Sequence, residues 1–147
     1  MTAPRHTRIR TQLGLRLVLP DGAVLPVSAS LEYETSDPYA VQVTFHTGGG
    51  DDDCAVVWTF ARQLIIDGLD RPAGLGDVRV WPVPDDHHSS TSIALALCSP
   101  SGEALFEIPR DALTAFLYRT YDEVPIGFED RHVDMDAELK VLLRDCV

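Results

Sequence analysis

The sequence lacks the features that would indicate a common hydrolase or a membrane protein. No Gly-x-Ser-x-Gly motif occurs, so nothing points to a serine hydrolase. No apolar run approaches the ~20 residues that a membrane-spanning helix requires, and the first residues are too polar for a secretory signal. We therefore expect a cytoplasmic protein.

Cysteine is scarce as well. The sequence has Cys54, Cys98 and Cys146, an odd number at wide spacing that fits neither a disulfide framework nor a zinc knuckle. Cys54 and Cys98 lie in or beside apolar runs, where a thiolate would be costly, so we interpret them as small core residues rather than nucleophiles. Together these absences predict a protein without enzymatic activity and without a cofactor.

Positively charged residues are scarce too. The chain of 147 residues has 12 lysines and arginines against 23 aspartates and glutamates, which gives a net charge of -11. This charge repels phosphate backbones and disfavours nucleic acid as a partner. The exception is local, because Arg5, His6, Arg8, Arg10 and Arg16 make the amino-terminal segment basic. We expect residues 1–12 to form a flexible leader.

Clusters of possible metal or phosphate ligands are present but poorly spaced. The stretch 48–53 has three glycines followed by three aspartates, which would repel a phosphate. Residues 85–88, Asp-Asp-His-His, are consecutive, and consecutive side chains rarely converge on one ion. Near His132 and Asp136, the simpler role of Asp134 is to cap a helix. We expect no metal site.

What the sequence does contain is an alternation of apolar and polar residues that is typical of β-strands. Its length and its hydrophobic content of 45% fit one folded domain. The alternation predicts strands that contain Leu13, Val27, Tyr39, Cys54, Val78, Ile93 and Glu103. The Asp21-Gly22 pair predicts a hairpin turn between the first two strands.

Helical patterns are fewer. Residues 60–67 predict a short helix with Phe60 directed inward. After Pro109, apolar residues at the spacing i, i+3, i+4 and i+7 predict an amphipathic helix, and Asp134 would cap a last one. The residues therefore predict an α+β fold, with a mostly antiparallel sheet, one short helix and a C-terminal helix-loop-helix.

Trp81 is the residue that most suggests a binding surface. In a regular strand Trp81 shares a face with Arg79 while Val78 and Val80 take the other, so one of these two faces must point away from the main core. Tryptophan and arginine are enriched among interface anchors, which makes Arg79 and Trp81 candidate partner-binding residues. The alternative is that a helix or a second sheet covers Trp81.

Several motifs, taken in their order, resemble the SsgA-like sporulation and cell-division proteins of actinomycetes. No single motif is specific to this family. The order of all the motifs together, from about Leu15 to Leu143, is specific to it. The motifs include Asp37-Pro38-Tyr39-Ala40-Val41, Gly76-Asp77-Val78-Arg79-Val80-Trp81-Pro82 and Arg131-His132-Val133-Asp134-Met135-Asp136. The motifs do not show which paralogue of the family this chain resembles.

The resemblance implies a whirly-like fold, in which two antiparallel sheets of about seven to eight strands pack with the helices, and assembly as a homotrimer. It implies that residues 13–147 form a single SsgA-like domain. It further implies a non-catalytic interaction factor at division septa, which controls septum-site localisation or spore-wall maturation. The implied partners are cell-division or cell-wall proteins, including the tubulin-like division GTPase FtsZ, bound directly or through a paralogue.

The likeness of this family to whirly proteins suggests an alternative function, a single-stranded nucleic-acid binding module. That alternative rests on analogy of fold, which is a weak guide to function. Such modules need a basic groove with exposed aromatic side chains, and the acidic balance of this chain argues against one.

Overall fold

Seven strands and two helices make up the part of the chain that a computed structural model describes, residues 6–47, 54–84 and 92–132. In chain order the elements are β1 (Arg8–Val18), β2 (Val24–Glu34), β3 (Ala40–Thr47), β4 (Cys54–Ala61), α1 (Arg62–Gly68), β5 (Val78–Val83), β6 (Ser92–Ser99), β7 (Gly102–Pro109), α2 (Arg110–Glu123) and a 3-10 turn (Glu129–His132). Neighbouring strands pair antiparallel throughout. The predicted α+β class is confirmed.

The β1–β2 hairpin follows directly from the alternation in the sequence. Leu15 and Leu31 point to the hydrophobic core, and we call this side of the sheet the inner face and the opposite side the outer face. The turn lies at the predicted position. Gly22 has a φ of 90°, and Asp21 Oδ1 accepts a hydrogen bond from the Ala23 N–H at 2.9 Å.

The predicted pair of packed sheets is corrected to one curled sheet. The strand order is β4-β3-β2-β1-β7-β6-β5, and β1 joins β7 only along the short stretch from Arg16 to Val18. Strands β3 and β7 are three positions apart, which corresponds to about 14 Å in a flat sheet. The ring centroids of Phe45 on β3 and Phe106 on β7 nevertheless lie 4.4 Å apart. The two halves of the sheet therefore face each other across the core, and the whirly-like assignment stays a prediction.

Helix α1 begins at Arg62, later than the sequence predicted, because strand β4 continues through Ala61. The Arg62 N–H still donates to the Tyr39 carbonyl oxygen at 2.7 Å, which extends the bonding between β3 and β4. Phe60 therefore belongs to β4, although it is directed inward as predicted.

Helix α2 follows Pro109 and buries one face against the core, with the predicted spacing of Leu113, Phe116, Leu117 and Thr120. The helix ends at Glu123, where the backbone turns to an extended conformation before Pro125. The second C-terminal helix, predicted to follow Asp134, lies outside the described residues.

Strand β1 begins at Arg8, inside the segment that was predicted to be a flexible leader. Arg8 forms an ion pair with Glu34, and Arg10 forms one with Glu32 at 3.4 Å, each with its cross-strand partner on β2. Residues 8–12 are thus part of the sheet, and the prediction of a flexible leader is wrong for these residues.

Candidate functional site

Strand β5 presents Arg79 and Trp81 on the outer face of the sheet. The intervening Val80 is only 2% exposed and belongs to the core. Helix α1 fixes this orientation by packing against β5 at Gly68, where an added Cβ would lie 2.3 Å from Val80 Cγ1. Since Val80 is held inward, strand parity directs its neighbour Trp81 outward, where it is partly exposed.

A shallow groove of about 210 Å³ lies beside these two residues on the outer face. The register aligns Arg79 with Ala96 of β6 and Ala96 with Leu105 of β7. Alanine is short, so the longer side chains of the flanking strands stand above it and form the walls. The residues that line the groove are Gly76, Asp77, Arg79, Trp81, Ala96, Leu97, Cys98, Glu103, Ala104 and Leu105.

The groove places an aromatic side chain beside charged ones. Trp81 offers an aromatic surface and one N–H donor. Arg79 is exposed and has no ion-pair partner among the residues that the structure describes. Glu103 on the opposite wall accepts a weak hydrogen bond from Cys98 Sγ at 3.8 Å. The groove thus combines the aromatic ring of Trp81 with one cation, Arg79, and two carboxylates, Asp77 and Glu103.

The most elaborate polar arrangement in the described residues was missed by the sequence analysis. We call it the Arg62 cluster, and it comprises Arg62, Tyr33, Thr120, Tyr121 and Glu129. The Arg62 side chain is about 2% exposed, and its Nη2 donates to Glu129 Oε1 at 2.8 Å. Its Cζ lies 5.1 Å from the Tyr33 ring centroid and 5.5 Å from that of Tyr121. A buried cation is thus paired with a carboxylate and lies over two aromatic rings.

Arg62 also ties the start of α1 to the end of α2. Its Nη1 donates to the Val124 carbonyl oxygen at 2.8 Å and to Thr120 Oγ1 at 3.3 Å, while Thr120 Oγ1 in turn donates to the Leu117 carbonyl oxygen at 2.6 Å. The Val124 carbonyl oxygen lies just beyond the helix end and takes its donor from Arg62, whereas the Thr120 carbonyl oxygen already accepts the Val124 N–H at 2.8 Å and has Arg62 Nη1 as a second donor at 3.4 Å. Arg62 therefore acts as a C-terminal cap delivered from a distant part of the chain.

The electrostatics of the cluster follow from this geometry. Burial raises the pKa of Glu129, but hydrogen bonds from its own N–H, from Arg62 and from the Gly127 N–H, together with the positive charge of Arg62, outweigh burial and hold the pKa below its ordinary value. Burial raises the pKa of Tyr33 to about 12. Tyr33 is therefore protonated at neutral pH, and its hydroxyl donates to the Pro38 carbonyl oxygen at 2.9 Å.

The remaining candidates from the sequence do not assemble into a reactive site in the described part of the chain. Cys98 is partly exposed on the outer face rather than in the core, which corrects the prediction for that residue. Within residues 6–47, 54–84 and 92–132, no three of the His, Cys, Asp and Glu side chains come together in a way that could hold a metal ion. His87, Asp134 and Asp136 lie outside those ranges.

These observations define a class of protein, a small α+β domain with a shallow groove on the outer face of its sheet and a buried arginine paired with a carboxylate. Comparison with known proteins places it more narrowly. A family model described as Streptomyces sporulation and cell division protein, SsgA, matches residues 27–129. The chain belongs to the SsgA family, as the motifs in the sequence indicated.

Individual relatives cover nearly the whole chain. The sporulation-specific cell division protein SsgB of Frankia casuarinae is 52% identical over 139 residues, which cover 95% of this chain and 94% of that protein. SsgB of Streptomyces coelicolor is 49% identical over 140 residues, with 95% and 98% covered. A crystal structure of an SsgA-like sporulation-specific cell division protein from Thermobifida fusca has a TM-score of 0.82 at 42% identity and covers 95% of this chain and 98% of that chain. These relatives are named as cell division proteins and not as enzymes.

Proposed function

We propose that this chain is a non-catalytic interaction factor in sporulation-specific cell division, which controls septum-site localisation or spore-wall maturation. Membership of the SsgA family supports the process, because the relatives carry names that refer to sporulation and division. The proposed partner is a cell-division protein, with FtsZ as the first to test. The protein would then act at division septa. In the described residues, no helix is both long and apolar enough to cross a membrane.

The observation that supports a protein contact is the position of Trp81. A tryptophan whose neighbour Val80 is locked in the core cannot turn inward, so its ring covers part of the outer face beside the groove. Tryptophan and arginine at the edge of a shallow groove are the residue types that supply most of the free energy in protein interfaces. We propose that Arg79 and Trp81 contact the partner.

Replacing Trp81 with alanine is expected to weaken binding to purified FtsZ by about 2 kcal/mol or more, which is about 30-fold in the dissociation constant. The melting temperature should change little, because the ring is only partly buried. Affinity is measured by biolayer interferometry, and stability is measured by thermal melting on the same sample.

Tyr118→Ala is the matched control, since Tyr118 is an exposed aromatic residue on α2, away from the groove. Its substitution should leave FtsZ binding unchanged. If Trp81→Ala lowered the melting temperature but the folded fraction bound FtsZ as tightly as the unmodified protein does, the proposed contact through Arg79 and Trp81 would be wrong. The division role is tested separately, by gene deletion, complementation and imaging of septa.

Single-stranded nucleic acid is the competing partner, and the outer face is poorly suited to it. The arginines of β1 that the leader was expected to expose are paired with carboxylates, and Arg16 is likewise 3.3 Å from Glu107 on β7. Paired arginines release few counterions from a phosphate backbone.

We expect labelled single-stranded DNA and RNA to bind only weakly at about 150 mM salt, as measured by fluorescence anisotropy. Submicromolar affinity under these conditions would make single-stranded nucleic-acid binding the favoured function, ahead of a protein contact in cell division. Deletion of residues 1–7 would then separate binding by the amino-terminal segment from binding by the sheet.

We also propose that the protein assembles as a homotrimer. The motivation is the family resemblance together with the apolar surface that the described residues leave exposed, which includes Val56 and Val57 of β4.

A further inference from the structure

Leu75 is the most exposed of the large apolar side chains that the structure describes. It is 98% exposed, whereas the other exposed residues of this kind lie between 40% and 63%. A single exposed leucine is common on protein surfaces and needs no explanation by itself. The segment that carries Leu75, residues 69–77 between α1 and β5, is nevertheless built so that the position of this residue is fixed. We call it the Leu75 loop.

Backbone hydrogen bonds hold the Leu75 loop on both sides of its tip, residues 74–76. Before the tip, Ala73 and Val80 of β5 exchange two backbone hydrogen bonds of 2.8 and 2.9 Å. After the tip, the Asp77 carbonyl oxygen accepts the Cys98 N–H of β6 at 2.8 Å. The tip is therefore anchored to two strands of the sheet.

A glycine on each side of Leu75 sets the conformation of the tip. Gly74 has a φ of 96° and Gly76 has a φ of 86°, values in the left-handed region that favours glycine. A Cβ at Gly74 would lie 2.4 Å from the Val78 carbonyl oxygen, so the tip also packs closely against β5. The loop thus presents Leu75 to solvent in a conformation that needs little further ordering on binding, and such preorganisation increases affinity.

The Leu75 loop is continuous with the groove beside Arg79 and Trp81. Gly76 and Asp77, which directly follow Leu75, are among the residues that line this groove. An exposed leucine and a partly exposed tryptophan therefore lie on adjoining parts of one surface. The residues that supply most of the binding free energy in protein interfaces cluster in the same way.

The charges on this surface indicate what a partner would carry. Asp77 and Glu103 are exposed, and neither has an ion-pair partner among the residues that the structure describes. The groove thus has two such carboxylates against one arginine, Arg79. A leucine side chain fits an apolar pocket, and carboxylates beside it favour a lysine or arginine on the facing surface.

We propose that the Leu75 loop is a second part of the partner contact, in which Leu75 enters an apolar pocket of the partner protein and Asp77 pairs with a lysine or arginine at the rim of that pocket. This inference rests on the proposed function, because it assigns further residues and a partner chemistry to the same surface. It depends on different side chains from the Trp81 contact, so the two contacts can fail separately.

Leu75→Ala tests the apolar part of the contact. We expect the dissociation constant for purified FtsZ to rise about tenfold, mainly through faster dissociation, because most of the apolar surface of the leucine is no longer buried in the complex. The melting temperature should not change, since Leu75 is almost fully exposed. Biolayer interferometry measures both rates. The matched control is Leu25→Ala, the same substitution at a leucine that is 48% exposed on the inner face, and it should leave both rates unchanged.

Asp77→Asn tests the charged part of the contact. Asparagine retains the size of the side chain, and the bond from Cys98 uses the backbone carbonyl group, so the loop should keep its conformation. We expect association with FtsZ to slow about threefold at low salt and to depend less on salt concentration, because charges at the rim of an interface act mainly on the association rate.

The variants separate failure of this inference from failure of the proposed function. If Trp81→Ala weakened FtsZ binding and Leu75→Ala did not, the Leu75 contact would be wrong and the proposed function would stand. If Asp77→Asn associated like the unmodified protein at every salt concentration, the basic rim would be wrong. Absence of FtsZ binding by the unmodified protein would overturn both the Leu75 contact and FtsZ as the partner, while the division role is judged by gene deletion.

Discussion

Arg62→Met is expected to lower the free energy of unfolding by about 3–5 kcal/mol, a large part of the total for a domain of this size. Methionine retains most of the volume, but the Val124 carbonyl oxygen loses its 2.8 Å donor and Glu129 is left without its cationic partner. The loss of the cation beside Glu129, whose side chain is 15% exposed, adds to the unsatisfied Val124 carbonyl oxygen and to the lost contacts of Arg62 with the Tyr33 and Tyr121 rings. Chemical denaturation at pH 7, followed by circular dichroism, measures the change.

The control for this prediction is Arg16→Met. Arg16 pairs with Glu107 at 3.3 Å, but its side chain is exposed, so the loss should stay below about 1 kcal/mol. If both substitutions had the same small effect, the buried ion pair would not be a major source of stability.

The effect of Arg62→Met should also depend on pH, because the pKa of Glu129 in the folded protein lies below its ordinary value. A lowered pKa contributes stability that is present above the ordinary value of 4.5 and is lost as the pH falls through the folded-state pKa. The difference in stability between the unmodified protein and Arg62→Met should therefore narrow below about pH 4.5. A difference that is constant with pH would mean that Arg62 acts through its hydrogen bonds to Val124 and Thr120 and its contacts with the tyrosine rings, and not through Glu129.

The local structure was largely predictable from the sequence because it depends on short-range patterns. Alternation defined the strands, Asp21-Gly22 defined a turn, and the spacing after Pro109 defined α2. Phe60 was assigned to the helix because the apolar residues of β4 are followed almost directly by those of α1. The pattern of apolar residues therefore does not show where the strand ends and the helix begins. The bond from the Arg62 N–H to Tyr39 decides that point, and it comes from another strand.

Arrangements that join distant parts of the chain were not predictable. Arg62 stands between Ala61 and Gln63, and its partners Thr120, Val124 and Glu129 follow about 60 residues later. The signal in the sequence was a lone arginine within an otherwise apolar stretch, a pattern that fits a solvated residue equally well. Similarly, strand parity placed Arg79 and Trp81 on one face, but only the close approach of Gly68 to Val80 determined which face it was. The role of that face stays a prediction.

Phe45→Ala is expected to destabilise the protein by about 3–5 kcal/mol, as is usual for removal of a buried phenylalanine. Phe45 is 2% exposed and stacks on Phe106 at an interplanar angle of 19°. This stack joins the two halves of the sheet at the point where the curl brings them together. Its loss opens a cavity between β3 and β7 that the short β1–β7 pairing cannot close. Denaturant unfolding measures the loss, and Phe128→Ala, at a residue that is 40% exposed, should cost less than about 1 kcal/mol.

A double-mutant cycle isolates the contact that holds the curl. If the two rings interact directly, Phe45→Ala and Phe106→Ala should be non-additive by about 0.5–1.5 kcal/mol, the value found for aromatic pairs beyond their burial. Additive losses would show that each ring packs independently and that the β1–β7 hydrogen bonds alone bend the sheet.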